Sequence, residues 1–168
     1  MRILRIVNQK GLQKEEFVMA EFTFNGKDLE KMFSKIERLL FDKLKICPIK
    51  YEDINNTELN YTKNNNSFID AIKGEPAVYC IWLKRKSQKK FVPVYIGHAK
   101  DPRSRMRNHL SKKDKRTGAC LEKVKNAVKS NETIGVSFVK IKPPYMRTAV
   151  EEWLIYKNSD TLLWNSHR

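Results

Sequence analysis

The chain of 168 residues has few cysteines and no long apolar segment. Its three cysteines are odd in number and show no C-x-x-C spacing, which argues against both a disulfide framework and a zinc site. This cysteine usage is typical of a reducing compartment, so we expect an intracellular, cytoplasmic protein. The sequence has no run of about 18 apolar residues, so we expect no membrane span. No metal-ligand spacing joins the histidines, which are His98, His109 and His167.

Acidic residues are scarce in the second half of the chain. Residues 1–75 hold 13 Lys and Arg against 12 Asp and Glu, a net charge of +1, whereas residues 76–168 hold 21 against 7, a net charge of +14. Such a field suits a polyanion, because each phosphate that a cation neutralises releases condensed counterions. An anionic membrane surface and simple solubilisation are the alternatives. Since the sequence has no basic amphipathic helix of the membrane-surface type, the charge favours nucleic acid over both.

The first 75 residues are interpreted as an amino-terminal extension with one clear helix. Apolar residues recur at helical spacing and predict an amphipathic helix over 28–45, which Pro48 stops. We expect its apolar stripe to pack on the rest of the domain rather than on a partner. The remaining predictions here are strands or an irregular arm over 1–24, an Asn-rich loop over 52–66, and a short helix over 67–73 that ends at Gly74.

The second half alternates strands and helices in the order β-β-α-α-β-α. Two apolar runs separated by the basic turn KRKSQKK predict an antiparallel hairpin. Asp101 and Pro102 provide an N-cap and a first helical residue, so a helix is expected directly after the hairpin. The pattern predicts an α+β fold, a small three-stranded antiparallel sheet flanked by helices. The predicted strands are 77–83, 91–97 and 134–141, and the predicted helices are about 102–113, 119–130 and 147–157.

Six residues of this half stand in the order and spacing of a known motif. They are Tyr79, Tyr95, Arg105, His109, Glu151 and Asn165. The first tyrosine lies in AVY and the second, sixteen residues on, begins YIG; the arginine follows YIG by eight residues and the histidine by four more. The last two stand in VEEWLI and LLWN. This succession resembles the GIY-YIG nuclease family over about residues 76–166, with Ala77 in the place of the motif's first glycine.

The resemblance implies a metal-dependent hydrolysis in which each of these residues has a role. Glu151 would hold a single Mg²⁺ or Mn²⁺ ion that polarises the scissile phosphate. Tyr79, with His109, would take a proton from the attacking water or position it. Arg105 would offset the charge that builds on phosphorus, Tyr95 would orient phosphate or water, and the terminal asparagine would organise the groups around them.

The residues alone leave the role of the glutamate open. Thr148 and Glu151 have the spacing of a capping box, in which the glutamate would reach back to a backbone N–H instead of binding a cation. If the helix begins near Pro144, Glu151 lies inside it and is free to bind a divalent ion. Glu152 is then the second candidate ligand. His98, directly after YIG, is expected to be peripheral.

Helical spacing also leaves open which cations after YIG face a substrate. Arg105 and His109 lie on one flank of an apolar stripe, Arg103 and Arg107 lie on the other, and only the resemblance selects Arg105. We expect the remaining cations of the hairpin tip and the helix to contact a nucleic-acid backbone. They are Lys84, Arg85, Lys86, Lys89, Lys90, Lys100, Arg103 and Arg107.

These expectations describe a divalent-metal-dependent endonuclease that hydrolyses DNA, of the restriction type. The WN pair near the end and the compact chain without a separate DNA-binding module favour that type. The alternatives are a homing-type or repair-type GIY-YIG nuclease and a nucleic-acid-binding module that does not cut. A homodimer is left open. Recognition of a DNA sequence would use residues 1–75 or the hairpin tip, residues 84–90.

Overall fold

A computed structural model describes residues 26–51, 72–111 and 119–165, together with Asn65, Phe68 and Asp70. The predicted arm over 1–24 and nearly all of the predicted Asn-rich loop over 52–66 lie outside the described residues. Within that loop Asn65 is helical and buried, so the loop ends earlier than predicted. Its side chain accepts from Lys50 N at 2.6 Å and donates to Pro48 O at 3.1 Å.

The described residues form one antiparallel sheet. Its strands are β1 (Cys47–Pro48), β2 (Ala77–Lys84), β3 (Val92–Ala99) and β4 (Thr133–Lys140), in the spatial order β1-β4-β2-β3. β2 lies between β3 and β4 and is an apolar run of seven buried residues followed by a lysine. Strands that are covered on both faces have this composition, because neither face meets water.

The sheet has four strands, and the prediction of three was wrong. The additional strand is β1, whose Cys47 pairs with Val136 and whose Pro48 pairs with Gly135. It comes from the segment that was predicted to be an extension, and it places part of that segment in the sheet. Two residues with a proline carry no alternating pattern, and proline is confined to sheet edges, so the sequence offered no strand signal here.

Helices cover both faces of the sheet. α2 (Pro102–Leu110) and α3 (Leu121–Lys129) pack on the face that carries Tyr79, which we call the tyrosine face. α1 (Lys27–Leu40) and α4 (Arg147–Lys157) pack on the opposite face, and α4 follows a 3₁₀ turn, Pro144–Met146. The α+β class and the element order of the second half are confirmed. The longest described helix has 14 residues, and among the described residues no helix could cross a membrane.

α1 ends five residues earlier than the predicted helix over 28–45. Its last helical hydrogen bond runs from Phe41 N to Glu37 O, and a 3₁₀ turn, Lys43–Lys45, follows. The Asp42 side chain accepts from Leu44 N at 3.1 Å and so starts the turn, because a short acidic side chain competes with the helix for backbone N–H groups. Leu44 is 96% exposed and does not belong to the core stripe.

α1 is tied to the sheet by buried groups. Phe33 and Leu40 are buried, and the Phe33 ring lies 5.5 Å from the Trp153 ring of α4. Trp82 Nε1 donates to Ser137 Oγ at 2.9 Å, and Ser137 Oγ donates to Leu40 O at 2.7 Å. The apolar stripe of α1 therefore packs on its own domain, as expected.

Candidate active site

The candidate site is centred on the place where Tyr79 of β2 lies beside Gly97 of β3. In the β2–β3 register Tyr79 lies opposite Gly97. A Cβ atom at position 97 would lie 2.6 Å from Tyr79 Cζ and 2.9 Å from Tyr95 Cε1. Carbon atoms cannot approach that closely, so only glycine leaves room for both tyrosine rings. The glycine of YIG therefore has a steric reason in this chain.

Three rings gather on the tyrosine face. The centroids of Tyr79 and Tyr95 are 6.2 Å apart, those of Tyr79 and His109 are 5.8 Å apart, and those of Tyr95 and His109 are 5.2 Å apart. Tyr79 and His109 are fully buried, whereas Tyr95 is partly exposed. Tyr95 is thus the member of the cluster that solvent can reach.

His109 is fixed behind Tyr79 by two hydrogen bonds. The backbone N–H of Cys120 donates to His109 Nδ1 at 3.4 Å, and His109 Nε2 lies 2.9 Å from Tyr79 Oη. An amide N–H can only donate, so Nδ1 is the unprotonated nitrogen, and the neutral ring carries its hydrogen on Nε2. Burial, with Arg105 adding to it, lowers the pKa of His109 to about 4, so the ring is neutral at pH 7. His109 therefore donates to Tyr79, and its ring is fully buried.

The tyrosine hydroxyls are protonated at neutral pH. Burial raises the pKa of Tyr79 well above its usual value, and Tyr95 adds to the rise. Arg105 opposes this through its charge and a hydrogen bond to Tyr79. In the chain alone, desolvation outweighs this one guanidinium, so the phenolate is not favoured. Burial also raises the pKa of Tyr95.

Arg105 is presented by α2, which begins as the sequence predicts. Asp101 accepts from Arg103 N at 3.2 Å, Pro102 is the first helical residue, and the helix ends at Leu110 rather than near residue 113. Arg105 is half-buried, and its Nε atom is buried without a hydrogen-bond partner in the described part of the chain. A buried N–H donor that lacks a partner costs free energy, so this guanidinium is suited to an acceptor that the described residues do not supply.

The other two arginines of α2 differ from Arg105. Arg103 Nε lies 2.7 Å from Asp70 Oδ1, so this side chain is held in an ion pair. Arg107 is exposed on the surface of the helix. Arg105 lies within electrostatic reach of both tyrosines and of Glu151. The geometry thus separates the two flanks of α2 that helical spacing left open.

Glu151 lies inside α4 and does not cap it. The helix begins at Arg147 after the 3₁₀ turn, and its N-cap residue, Met146, makes no side-chain cap hydrogen bond. Glu151 Oε2 instead accepts from His98 Nδ1 at 2.5 Å, across to β3. The capping-box alternative with Thr148 is therefore excluded. Glu152, the other candidate, is exposed, whereas the Glu151 carboxylate side chain is only 14% exposed.

Asn165 holds the last described residues against the open edge of β3. Its Oδ1 accepts from Ile96 N at 2.9 Å and its Nδ2 donates to Ile96 O at 2.9 Å. Trp164 N also donates to Val94 O at 2.8 Å. These bonds replace a further strand at an edge that would otherwise expose unpaired backbone groups. Asn165 therefore fixes the backbone of Ile96, the middle residue of the YIG segment.

Among the described residues, the candidate site offers a metal ion one carboxylate, that of Glu151. In the described ranges no group of three or more His, Cys, Asp and Glu side chains could hold a metal by itself. Glu151 Oε1 has no hydrogen-bond partner among the same residues. Mg²⁺ commonly binds through one or two carboxylates and keeps several waters beside substrate phosphates, so a single open carboxylate oxygen fits this ion. It does not fit Zn²⁺, which takes several protein ligands.

The predicted nucleic-acid contacts fall into two places. Residues 85–90 of the hairpin tip are all exposed, and Lys84 lies over the Phe91 ring. Lys84 follows Tyr79 by five steps along an extended strand, about 17 Å. Lys100 and Arg107 are exposed, Lys100 directly after β3 and Arg107 on α2. The hairpin tip therefore begins about 17 Å from Tyr79 along β2.

The sequence interpretation missed His98. It stands directly after YIG and was expected to be peripheral, yet its ring binds the one carboxylate of the site. The available signal was the period of two along β3, which puts His98 on the opposite face from Tyr95, where α4 packs. This period predicts on which face of the sheet His98 lies, but it does not predict that the His98 ring contacts Glu151.

Comparison with known proteins agrees with this geometry. The family model of the GIY-YIG catalytic domain matches residues 75–160. No curated protein matches the chain, and no solved structure does. The matched range covers β2 through α4, and thus the tyrosines, Arg105, His109 and Glu151. The chain belongs to the GIY-YIG family, and residues 75–160 form its nuclease domain.

Proposed function

We propose that the chain is a divalent-metal-dependent endonuclease that hydrolyses DNA at defined sites, as restriction enzymes do. The observation that carries the proposal is the buried Nε–H of Arg105, which has no partner among the described residues. Around it stand two tyrosine hydroxyls and an open carboxylate oxygen, in a half of the chain with a net charge of +14. A donor kept free in this setting suits a phosphate oxygen.

The phosphate-binding step follows from the guanidinium. Arg105 binds a non-bridging oxygen of the scissile phosphate and offsets the charge that grows on the pentacoordinate phosphorus. Tyr95, the exposed tyrosine, orients the phosphate or the attacking water.

The proton-transfer step uses Tyr79. Its Oη accepts from His109 Nε2 and lies within electrostatic reach of Arg105, and both groups favour the phenolate. Because burial keeps the pKa high, Tyr79 is protonated in the chain alone. Positive charge bound nearby would favour release of the phenol proton to solvent, and the phenolate would then take the proton of the attacking water. His109 acts through Tyr79 as a positioning residue. The reaction is a hydrolysis, in which water adds to phosphorus and the leaving oxygen takes a proton.

Glu151 is the residue that would hold the cation. A Mg²⁺ or Mn²⁺ ion bound there would supply Lewis-acid activation of the phosphate and stabilise the leaving oxygen. Glu151 would hold it through the carboxylate oxygen that His98 does not contact. Asn165 keeps β3, and with it His98 and Tyr95, in place.

Binding to DNA would involve two groups of cations. Lys100 and Arg107 contact backbone phosphates beside the scissile bond, and residues 84–90 contact the duplex about five base pairs away, since 17 Å is about five steps of 3.4 Å. Arg103 contributes less than its neighbours because Asp70 already pairs with it. Site recognition then falls to the hairpin tip or to residues 1–75.

The restriction type rests on the pair Trp164-Asn165. The described residues offer one site, so cutting both strands at one position would use a second copy in a homodimer. The free cysteines, two of which are buried, support a reducing compartment.

Supercoiled plasmid tests the proposal. We expect nicked and linear products with Mg²⁺ or Mn²⁺ and none with EDTA, and we expect Glu151→Ala and Arg105→Ala to abolish cutting. Salt-sensitive DNA binding without cleavage under every divalent ion would identify a binding module instead. Mapping the cut ends separates the types: fixed ends support a restriction-type enzyme, and scattered ends contradict it. Linear product that forms without nicked product supports the dimer.

A further inference from the structure

His98 and Glu151 form a contact that joins two separate elements. His98 lies on β3 and Glu151 on α4, and Nδ1 lies 2.5 Å from Oε2. The two side chains are 28% and 14% exposed, so solvent only partly competes for the contact. Because a carboxylate only accepts, His98 Nδ1 carries the hydrogen.

The neighbourhood of Glu151 explains why the carboxylate needs a fixed partner. Glu151 lies close enough to Arg105 for its charge to raise the pKa of the guanidinium. A glutamate with free torsions would be drawn to that cation, and an ion pair between them would occupy both groups. In the described part of the chain no such ion pair is present, and Arg105 Nε has no partner.

The contact with His98 leaves each group available. His98 takes Oε2 on the β3 side, and Oε1 has no hydrogen-bond partner among the described residues. Arg105 stays on the tyrosine face with α2, while α4 packs on the opposite face. The hydrogen bond thus fixes Oε2 of Glu151 at β3 and leaves Oε1 without a hydrogen-bond partner among the described residues.

We propose that His98 is a positioning residue for Glu151: it fixes the carboxylate so that Oε1 meets the divalent ion and Arg105 stays free for phosphate. This inference rests on the proposed metal-dependent function. Outer-shell hydrogen bonds of this kind are typically worth about 10-fold to 100-fold in metal affinity or activity.

The test replaces His98 with side chains whose hydrogen-bond donor lies at different distances from Cβ. The amide nitrogen of asparagine lies as many bonds from Cβ as Nδ1 of histidine, whereas that of glutamine lies one bond further. His98→Asn should therefore keep the contact, and His98→Ala and His98→Gln should lose it. Val92→Ala, an exposed position on the same strand, is the control for a substitution in β3.

The first measurement is an Mn²⁺ titration without DNA, with Mn²⁺ in the millimolar range and binding followed by EPR. This readout does not depend on cleavage. We expect about 10-fold weaker binding for His98→Ala and His98→Gln, and binding within about threefold of the native chain for His98→Asn and Val92→Ala. In cleavage assays the Mg²⁺ concentration for half-maximal rate should rise by a similar factor, with the rate at saturating Mg²⁺ largely kept.

Equal Mn²⁺ affinity in all variants would overturn the inference, and so would equal loss in His98→Asn and His98→Gln. If His98→Ala does not fold, the asparagine and glutamine variants still decide, because both keep a polar side chain. If the native chain binds Mn²⁺ through Glu151 but cuts no DNA, the proposed function fails while the role of His98 stands. If it cuts DNA and His98 does not affect Mn²⁺ binding, only the role of His98 fails.

Discussion

Lowering the pH tests the buried, neutral state of His109. The ring is fully buried against Tyr79 and close to Arg105, so protonation would place a second cation beside the guanidinium without solvent. The pKa of His109 is about 4 in the folded chain, whereas an exposed histidine titrates near pH 6.5. At pH values between these two, His109 is protonated in the unfolded chain and neutral in the folded chain.

The sign and size follow from that difference. The stability that neutral His109 provides is present above about pH 6.5 and is lost as the pH falls toward about 4. A difference of about 2.5 pKa units corresponds to roughly 3 kcal/mol, of which roughly 2 to 3 kcal/mol is lost by about pH 4.5.

Urea denaturation at about pH 7.5 and about pH 4.5, followed by tryptophan fluorescence, measures the loss. The matched variant is His109→Gln, whose amide can still donate to Tyr79 Oη but does not titrate. We expect the native chain to lose roughly 2 to 3 kcal/mol more than this variant between the two pH values. An equal loss in both proteins would refute the buried neutral imidazole and the hydrogen-bond direction drawn from it.

Three substitutions test the packing around the site. Gly97→Ala should destabilise the fold by about 1–3 kcal/mol and reduce cleavage, because the new methyl group displaces the Tyr79 ring, whereas Gly26→Ala, with nothing within 4 Å, should change stability by less than about 0.5 kcal/mol. Asn165→Ala leaves the backbone groups of buried Ile96 without partners and should cost about 1–3 kcal/mol in thermal or urea unfolding. Leu163→Ala, exposed in the same segment, should cost less than about 0.5 kcal/mol. Ser137→Ala removes the hydrogen bonds that join Trp82 and Leu40 through Ser137 and should lower the free energy of unfolding by about 1–3 kcal/mol. Ser87→Ala in the exposed hairpin tip is its control. Equal stability of the two variants would contradict the proposed attachment of α1 to the sheet.

The order of elements in the second half was predictable because each element carries a local signal. β2 and β3 are apolar runs with a basic turn between them, and Asp101-Pro102 marks the start of α2. β1 and the early end of α1 were not predictable. A two-residue strand has no period, and the turn after α1 depends on one aspartate that outcompetes the helical spacing of Leu44.

The site residues were named by spacing, but their chemistry depends on burial. The sequence gives no measure of how deeply Tyr79 lies, so it could not predict that burial raises the pKa of this hydroxyl. The role of His98 depends on the rotation of α4 over β3, which brings together residues 53 positions apart in the chain. Periodicity assigns a residue to a face, whereas contacts of this kind are set by tertiary packing.

The most direct test of the account is the rate at which two arginine variants of α2 cut DNA under single-turnover conditions with saturating Mg²⁺. Arg105 has a buried donor without a partner among the described residues, whereas Arg107 is exposed on the same helix and carries the same charge. We predict that Arg105→Ala slows the cleavage step by at least about 100-fold, the typical effect of removing one donor to a transition state. Arg107→Ala should cost no more than about fivefold, and less at high salt. Equal losses in the two variants would contradict the account, because they would make Arg105 one more surface cation.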